Sequence, residues 1–154
     1  MKRNRGFWDA SALVSVCIQE DSSQFMRQQL RKYTPVVWWG SGIEVYSAIW
    51  RLYRMKEIND RERLGAATRL QALKEAWDEI LPGDDLRNSA ERLLEKYPLR
   101  AGDSLQLAAA LVWCGGRPAK RAFLCGDERL SEAAKVAGFA VVELPKEGRK
   151  EARK

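Results

Sequence analysis

The chain has 154 residues, 45% hydrophobic and 31% charged, the size and balance of one domain with one substantial core. No apolar run approaches the roughly 18 residues of a membrane span. Asp9 interrupts the apolar stretch after the basic start, so no secretory signal is read and a cytoplasmic protein is expected. The formal net charge of +6 sits in the two ends. Lys2, Arg3 and Arg5 supply +3, and the residues after Pro145 supply another +3, leaving 6–145 with 19 basic and 19 acidic residues. Such ends add non-specific phosphate affinity or simply solubilise, so charge alone does not name a nucleic-acid partner. Residues 1–145 are expected to form the domain and 146–154 a disordered basic tail.

The elements follow in chain order. Residues 6–8 read as a buried strand that ends in Asp9 and runs into an apolar helix over 10–18. Ser22 and Ser23 precede a helix over 24–33, whose face is Phe25, Met26, Gln29 and Leu30 and which Pro35 is expected to stop. The β-branched and aromatic run 36–39 is a second strand. Gly40-Ser41-Gly42 breaks the chain before a long helix with an apolar stripe of Ile43, Tyr46, Trp50 and Tyr53. After a turn at Asn59-Asp60, a helix over 61–81 turns Leu64, Ala67, Leu70, Leu73 and Trp77 inward, and a short strand is possible at 79–81. Residues 84–97 form a helix carrying Ala90, Leu93 and Leu94, ended by Pro98. Gly102-Asp103 opens a helix to Cys114, closed by Gly115-Gly116. Residues 122–125 are a strand, Gly126-Asp127 turns into a helix over 128–136, and 139–144 is the last strand. This alternation predicts a three-layer α/β/α domain with a mostly parallel central sheet and helices on both faces.

In such sheets ligands bind at the carboxyl ends of the strands. Asp9 and Asp127 lie at such ends, Glu44 follows another, and Asp103 opens a helix. Each has a structural reading. Asp9 and Asp127 can cap helices, Asp103 can be an N-cap or a first-turn anion, and Glu44 can be a first-turn anion favoured by the helix dipole. Together that explanation weakens, because four converging carboxylates repel and raise one another's pKa values. A hard divalent cation, Mg²⁺ or Mn²⁺, relieves that repulsion through oxygen ligands, and such ions serve phosphodiester hydrolysis. The chain has no histidine. That excludes a His general base, an RNase-A-like pair, an HD-type metal site and a zincin. There is no P-loop, and Gly40-Ser41-Gly42 lacks the third glycine of a dinucleotide fingerprint. Cys17, Cys114 and Cys125 fit neither a zinc ribbon nor a C-x-x-C pair and read as buried free thiols.

Four segments, in order, resemble the motifs of PIN-domain nucleases. They are Phe7-Trp8-Asp9-Ala10-Ser11-Ala12-Leu13-Val14, Glu44-Val45-Tyr46-Ser47-Ala48-Ile49-Trp50-Arg51, Leu99-Arg100-Ala101-Gly102-Asp103-Ser104-Leu105-Gln106-Leu107-Ala108, and Leu124-Cys125-Gly126-Asp127-Glu128-Arg129-Leu130 followed by Ala133-Ala134 and Gly138-Phe139. The resemblance covers about residues 6–145, and order, spacing and size look like the VapC toxins of toxin–antitoxin pairs. It implies an Mg²⁺- or Mn²⁺-dependent endoribonuclease restrained by a VapB-type antitoxin, with Asp9, Glu44, Asp103 and Asp127 as metal-binding carboxylates. Ser11 would support the first of them by hydrogen bonding. The fourth motif usually carries Thr or Ser where this chain has Cys125, a weaker donor, which bears on how Asp127 is positioned. Aromatic-rich helices pair two copies in these toxins, so Trp38, Trp39, Trp50 and Tyr53 suit a homodimer interface, an antitoxin groove or core packing. Arg51 and Arg54 are candidate RNA contacts. The alternatives are a PIN-fold RNA-processing nuclease and a catalytically silent RNA- or partner-binding module. A receiver-like domain would also gather acids around Mg²⁺, but Lys120 precedes its strand rather than ending it.

Overall fold

The computed structural model describes residues 4–18 and 23–145. Lys2, Arg3, Ser22 and the tail at 146–154 lie outside the described residues. Five parallel strands form one sheet: β1 (Asn4–Trp8), β2 (Tyr33–Trp38), β3 (Asp78–Ile80), β4 (Ala122–Cys125) and β5 (Ala140–Glu143), in the spatial order β3-β2-β1-β4-β5. Among the described residues seven helices connect and cover the strands: α1 (Ala10–Cys17), α2 (Ser23–Lys32), α3 (Ser41–Arg54), α4 (Asp60–Ala76), α5 (Asp84–Lys96), α6 (Ala101–Trp113) and α7 (Glu128–Ala137). The sheet is wholly parallel, as its helical crossovers require.

Neighbouring strand residues point to opposite faces and so build two cores. Phe7, Val36 and Phe123 pack against Leu93 of α5, Leu107 of α6 and Leu130 of α7. Trp8, Val37 and Leu124 pack on the other face against Leu13 of α1, Met26 of α2, Ile49 of α3 and Leu70 of α4. With both faces covered, these strands are continuous apolar runs. The three-layer α/β/α arrangement expected from the sequence is the one found.

Several local expectations are corrected. Pro35 does not end a helix; it lies buried inside β2, opposite Gly6 of β1 and one residue before the register shared with β3 begins at Val36. Proline is tolerated there because β3 is too short to reach it. The short third strand is displaced by one residue, to Asp78–Ile80. The aromatic stripe of α3 is not its core face: Val45, Ala48 and Ile49 are buried, whereas Ile43 is 67% exposed and Tyr46 is exposed. Leu64 of α4 and Leu94 of α5 also face outward, while Ala66 and Leu86 take the inward positions.

The order of the strands positions the site. From β1 the chain first builds outward through β2 to β3, then returns across the sheet to lay β4 and β5 on the other side of β1. The connections diverge between β1 and β4, which is where an open parallel sheet leaves a crevice at its carboxyl edge.

Candidate functional site

Asp9 ends β1 and is the N-cap of α1, with Oδ1 accepting from the Ala12 N–H at 3.1 Å. Ser11 donates to the same oxygen at 2.6 Å, and its hydroxyl accepts from the Gly126 N–H at 2.8 Å. One side chain therefore ties the β1–α1 turn to the β4–α7 turn, 115 residues apart. Asp127 caps α7 in the same way, Oδ1 accepting from the Leu130 N–H at 2.9 Å. The capping and functional readings of these two residues are compatible, because the caps run to one oxygen of each carboxylate. Asp103 is not an N-cap; it is the third residue of α6, in its first turn, and accepts from the Arg100 backbone. Glu44 stands in the first turn of α3.

The four acids share one electrostatic environment. Burial pushes the Asp9 carboxyl up to about 7 against the hydrogen bonds it accepts, with the charge of Asp127 adding a smaller push. Asp103 is raised by burial and by Asp127, with Arg100 and Arg129 opposing. Glu44 is exposed as a whole residue, yet its carboxyl has lost enough water to be raised; a bond from Gln106 opposes that and Asp103 adds to it. The repulsions thus run as a chain, Asp9 to Asp127 to Asp103 to Glu44. An open cleft of about 670 Å³ is lined by Glu44, Asp103 and Asp127 together with Arg100, Gly126 and Arg129, and Asp9 joins it from beneath through Ser11 and Gly126.

Oxygen donors that are partly stripped of water and raised by one another's charge are of the chemical type a hard divalent cation takes. Among the described residues no three Asp, Glu or Cys side chains stand within reach of a single ion. Mg²⁺ keeps several waters and takes one or two protein carboxylates, so a pair of acids is the most this arrangement offers one ion.

Sequence reading missed Gln106 as a site residue. Its side chain is buried between α6 and α3, donates to the Ser41 hydroxyl at 3.1 Å, and bonds the Glu44 carboxylate. Ser41 is itself fully buried. The available signal was a glutamine at i+3 from Asp103, among the leucines and alanines of α6. Arg100 and Arg129 were also overlooked as cleft cations. Arg51 and Arg54 stand in the last turn of α3, roughly 10 and 15 Å along the axis from Glu44 at about 1.5 Å per residue, outside the cleft lining. Arg54 lies over the Trp50 ring at 5.7 Å. Cys125 is fully buried, and its sulfur accepts from the Asp127 N–H and donates to the Asp127 carbonyl, both at 3.3 Å. The thiol braces the turn that carries Asp127, and burial raises its pKa. Of the aromatics, Trp38 is buried, Trp39 is half exposed, and Trp50 and Tyr53 are half buried in an edge-to-face row with Tyr46.

No protein-family model matches the sequence, and no curated protein is matched by it. Solved structures do match. PAE2754 from Pyrobaculum aerophilum is similar over 98% of this chain and 97% of its own, at 14% identity and a TM-score of 0.63. A chain of a toxin–antitoxin complex from Klebsiella pneumoniae is similar over 89% of this chain and 95% of its own, at 15% identity and a TM-score of 0.60. At these identities the likeness establishes the fold, and that fold is the PIN-like three-layer α/β/α architecture.

Proposed function

We propose that this protein is a divalent-cation-dependent endoribonuclease, the toxin of a VapBC-type pair. The observation that carries the reading is that Glu44, Asp103 and Asp127 line one cleft at the carboxyl edge of the sheet, with Asp9 tied to it through Ser11 and Gly126, and that Asp9, Glu44 and Asp103 are all held against ionisation. These acids, no more than two of them to one ion, would hold Mg²⁺ or Mn²⁺; when bound, the cation would polarise the phosphodiester and acidify an attacking water.

The chain's own residues do the positioning. Ser11 and the Ala12 N–H fix the Asp9 carboxylate, and Gln106 fixes Glu44 from a buried anchor on Ser41. Arg100 and Arg129, beside the acids, supply the positive charge that lets a phosphate backbone enter an otherwise acidic cleft. Nothing here acts as a covalent nucleophile: Cys125 is buried and its thiol is pushed away from ionisation.

The restraint by a VapB-type antitoxin is supported by likeness to a chain of a toxin–antitoxin complex and by the exposed apolar face of α3, Ile43 and Tyr46, which also suits a homodimer. Among the described residues no helix is long and apolar enough to cross a membrane, in keeping with a cytoplasmic RNA substrate. The test is cleavage of a mixed RNA pool by wild type and Asp9→Ala, in Mg²⁺ or Mn²⁺ and in EDTA. Cutting that needs metal and is lost in the variant is expected. Metal-dependent cutting retained by both Asp9→Ala and Asp103→Ala would refute the site.

A further inference from the structure

The acidic cleft continues into a second hollow. Glu128 and Arg129 line both, and the hollow, of about 400 Å³, is otherwise walled by Tyr97, Pro98, Ala133 and Val136 with Glu132 at its side. Tyr97 is the C-cap of α5, and Glu128, Arg129, Glu132, Ala133 and Val136 belong to α7, so the hollow lies between the end of α5 and one side of α7. Its walls are mainly apolar, and Val136 is 69% exposed there.

We propose that this hollow is a nucleobase subsite: it takes the base of a nucleotide next to the scissile phosphate. The inference rests on the endoribonuclease reading, and three features of the hollow favour a base. Its volume is in the range of small-ligand sites. Arg129 is common to cleft and hollow, so a phosphate beside that guanidinium places the attached base within reach of the second compartment. An aromatic ring among apolar walls is the surface on which unpaired RNA bases stack. The polar side is acidic, and ionised carboxylates only accept hydrogen bonds. Glu132, 71% exposed and paired with Lys135 at 3.5 Å, would exchange that weak surface ion pair for a ligand edge that carries an amine. Adenine, cytosine and guanine have that amine. Uracil has no exocyclic amine and offers only its ring N3–H, flanked by two carbonyls whose lone pairs the carboxylate would repel.

The test follows the methyl NMR signals of Ala133 and Val136 in the full, metal-free chain during titration with each of the four nucleoside 5′-monophosphates. Saturable shifts are expected with the adenine, cytosine and guanine nucleotides and markedly weaker ones with the uracil nucleotide. Tyr97→Leu, which keeps the apolar volume and removes the stacking face, should weaken binding about tenfold. Shifts unaffected by that change overturn the subsite, and an equal response to the uracil nucleotide overturns the assignment of its edge. If no nucleotide moves these methyls, the hollow serves another occupant, a protein's apolar side chain among them, and the inference falls. RNA cleavage by the same wild-type preparation separates the two levels. Cleavage without shifts removes the subsite alone, whereas shifts with no cleavage by metal-loaded enzyme count against the nuclease reading and keep a nucleobase site.

Discussion

Asp9→Asn should make the metal-free protein more stable, and increasingly so as the pH rises. The side chain is buried, its carboxyl lies at about 7 in the folded state, and the ordinary value is 3.8. Between those values the folded state keeps a proton that the unfolded chain has released, so stability falls as pH climbs through this window. Integrating that linkage from pH 5 to pH 8 gives a loss of about 3 kcal/mol for this one group. Asparagine retains an oxygen for the Ala12 N–H and the Ser11 hydroxyl but has no charge to bury. Glu44 and Asp103 titrate upward too, but they are present in both proteins and cancel in the difference. The melting-temperature gap between variant and wild type, in EDTA, should therefore widen by roughly 6–12 °C between pH 5 and pH 8, at about 2–4 °C per kcal/mol for a chain of this size. Circular dichroism melts at four pH values are sufficient. A gap that stays constant, or narrows with pH, would refute the argument that Asp9 is held against its own charge.

The same carboxylate should answer to metal: millimolar Mg²⁺ or Mn²⁺ is expected to raise the wild-type melting temperature at pH 8 and leave Asp9→Asn unmoved, and equal shifts in both would place the ion elsewhere. Gln106→Leu strands the buried Ser41 hydroxyl and should cost about 1–3 kcal/mol by chemical denaturation, as well as activity. Adding Ser41→Ala should restore most of the stability and none of the activity, since Glu44 still lacks its donor; recovery of both would mean Gln106 is only packing. Gly138 ends α7 at φ 113° with its N–H bonded to the Ala134 and Lys135 carbonyls, so Gly138→Ala should cost roughly 1–2 kcal/mol in a denaturant titration while cleavage at permissive temperature is unchanged.

Much of the architecture is local and was legible in the sequence. Apolar runs, Pro and Gly breaks and helical periodicity located most strands and helices to within a few residues, although the helix expected over 61–81 ends at Ala76 and gives way to β3, and the aspartates at the ends of β1 and β4 could be named because a strand-to-helix turn wants a capping acid there. What failed shares one cause. Pro35 looked like a helix stop because its tolerance in β2 depends on where the neighbouring strand β3 begins. The stripe of Ile43, Tyr46 and Trp50 looked like a core face because periodicity reports that a face is apolar, never what covers it.

By itself, then, the sequence determined the alternation of strands and helices, the all-oxygen chemistry of a chain without histidine, and the acid at each turn, since these depend on a residue and its near neighbours. Tertiary structure alone decided that β1 lies between β2 and β4, that Ser11 meets Gly126, that Gln106 reaches Glu44, and that Arg100 and Arg129 rather than Arg51 and Arg54 share the acids' cleft. Those contacts join residues dozens of positions apart, and their partners are set by strand order and by which helix face is buried, which no local pattern encodes.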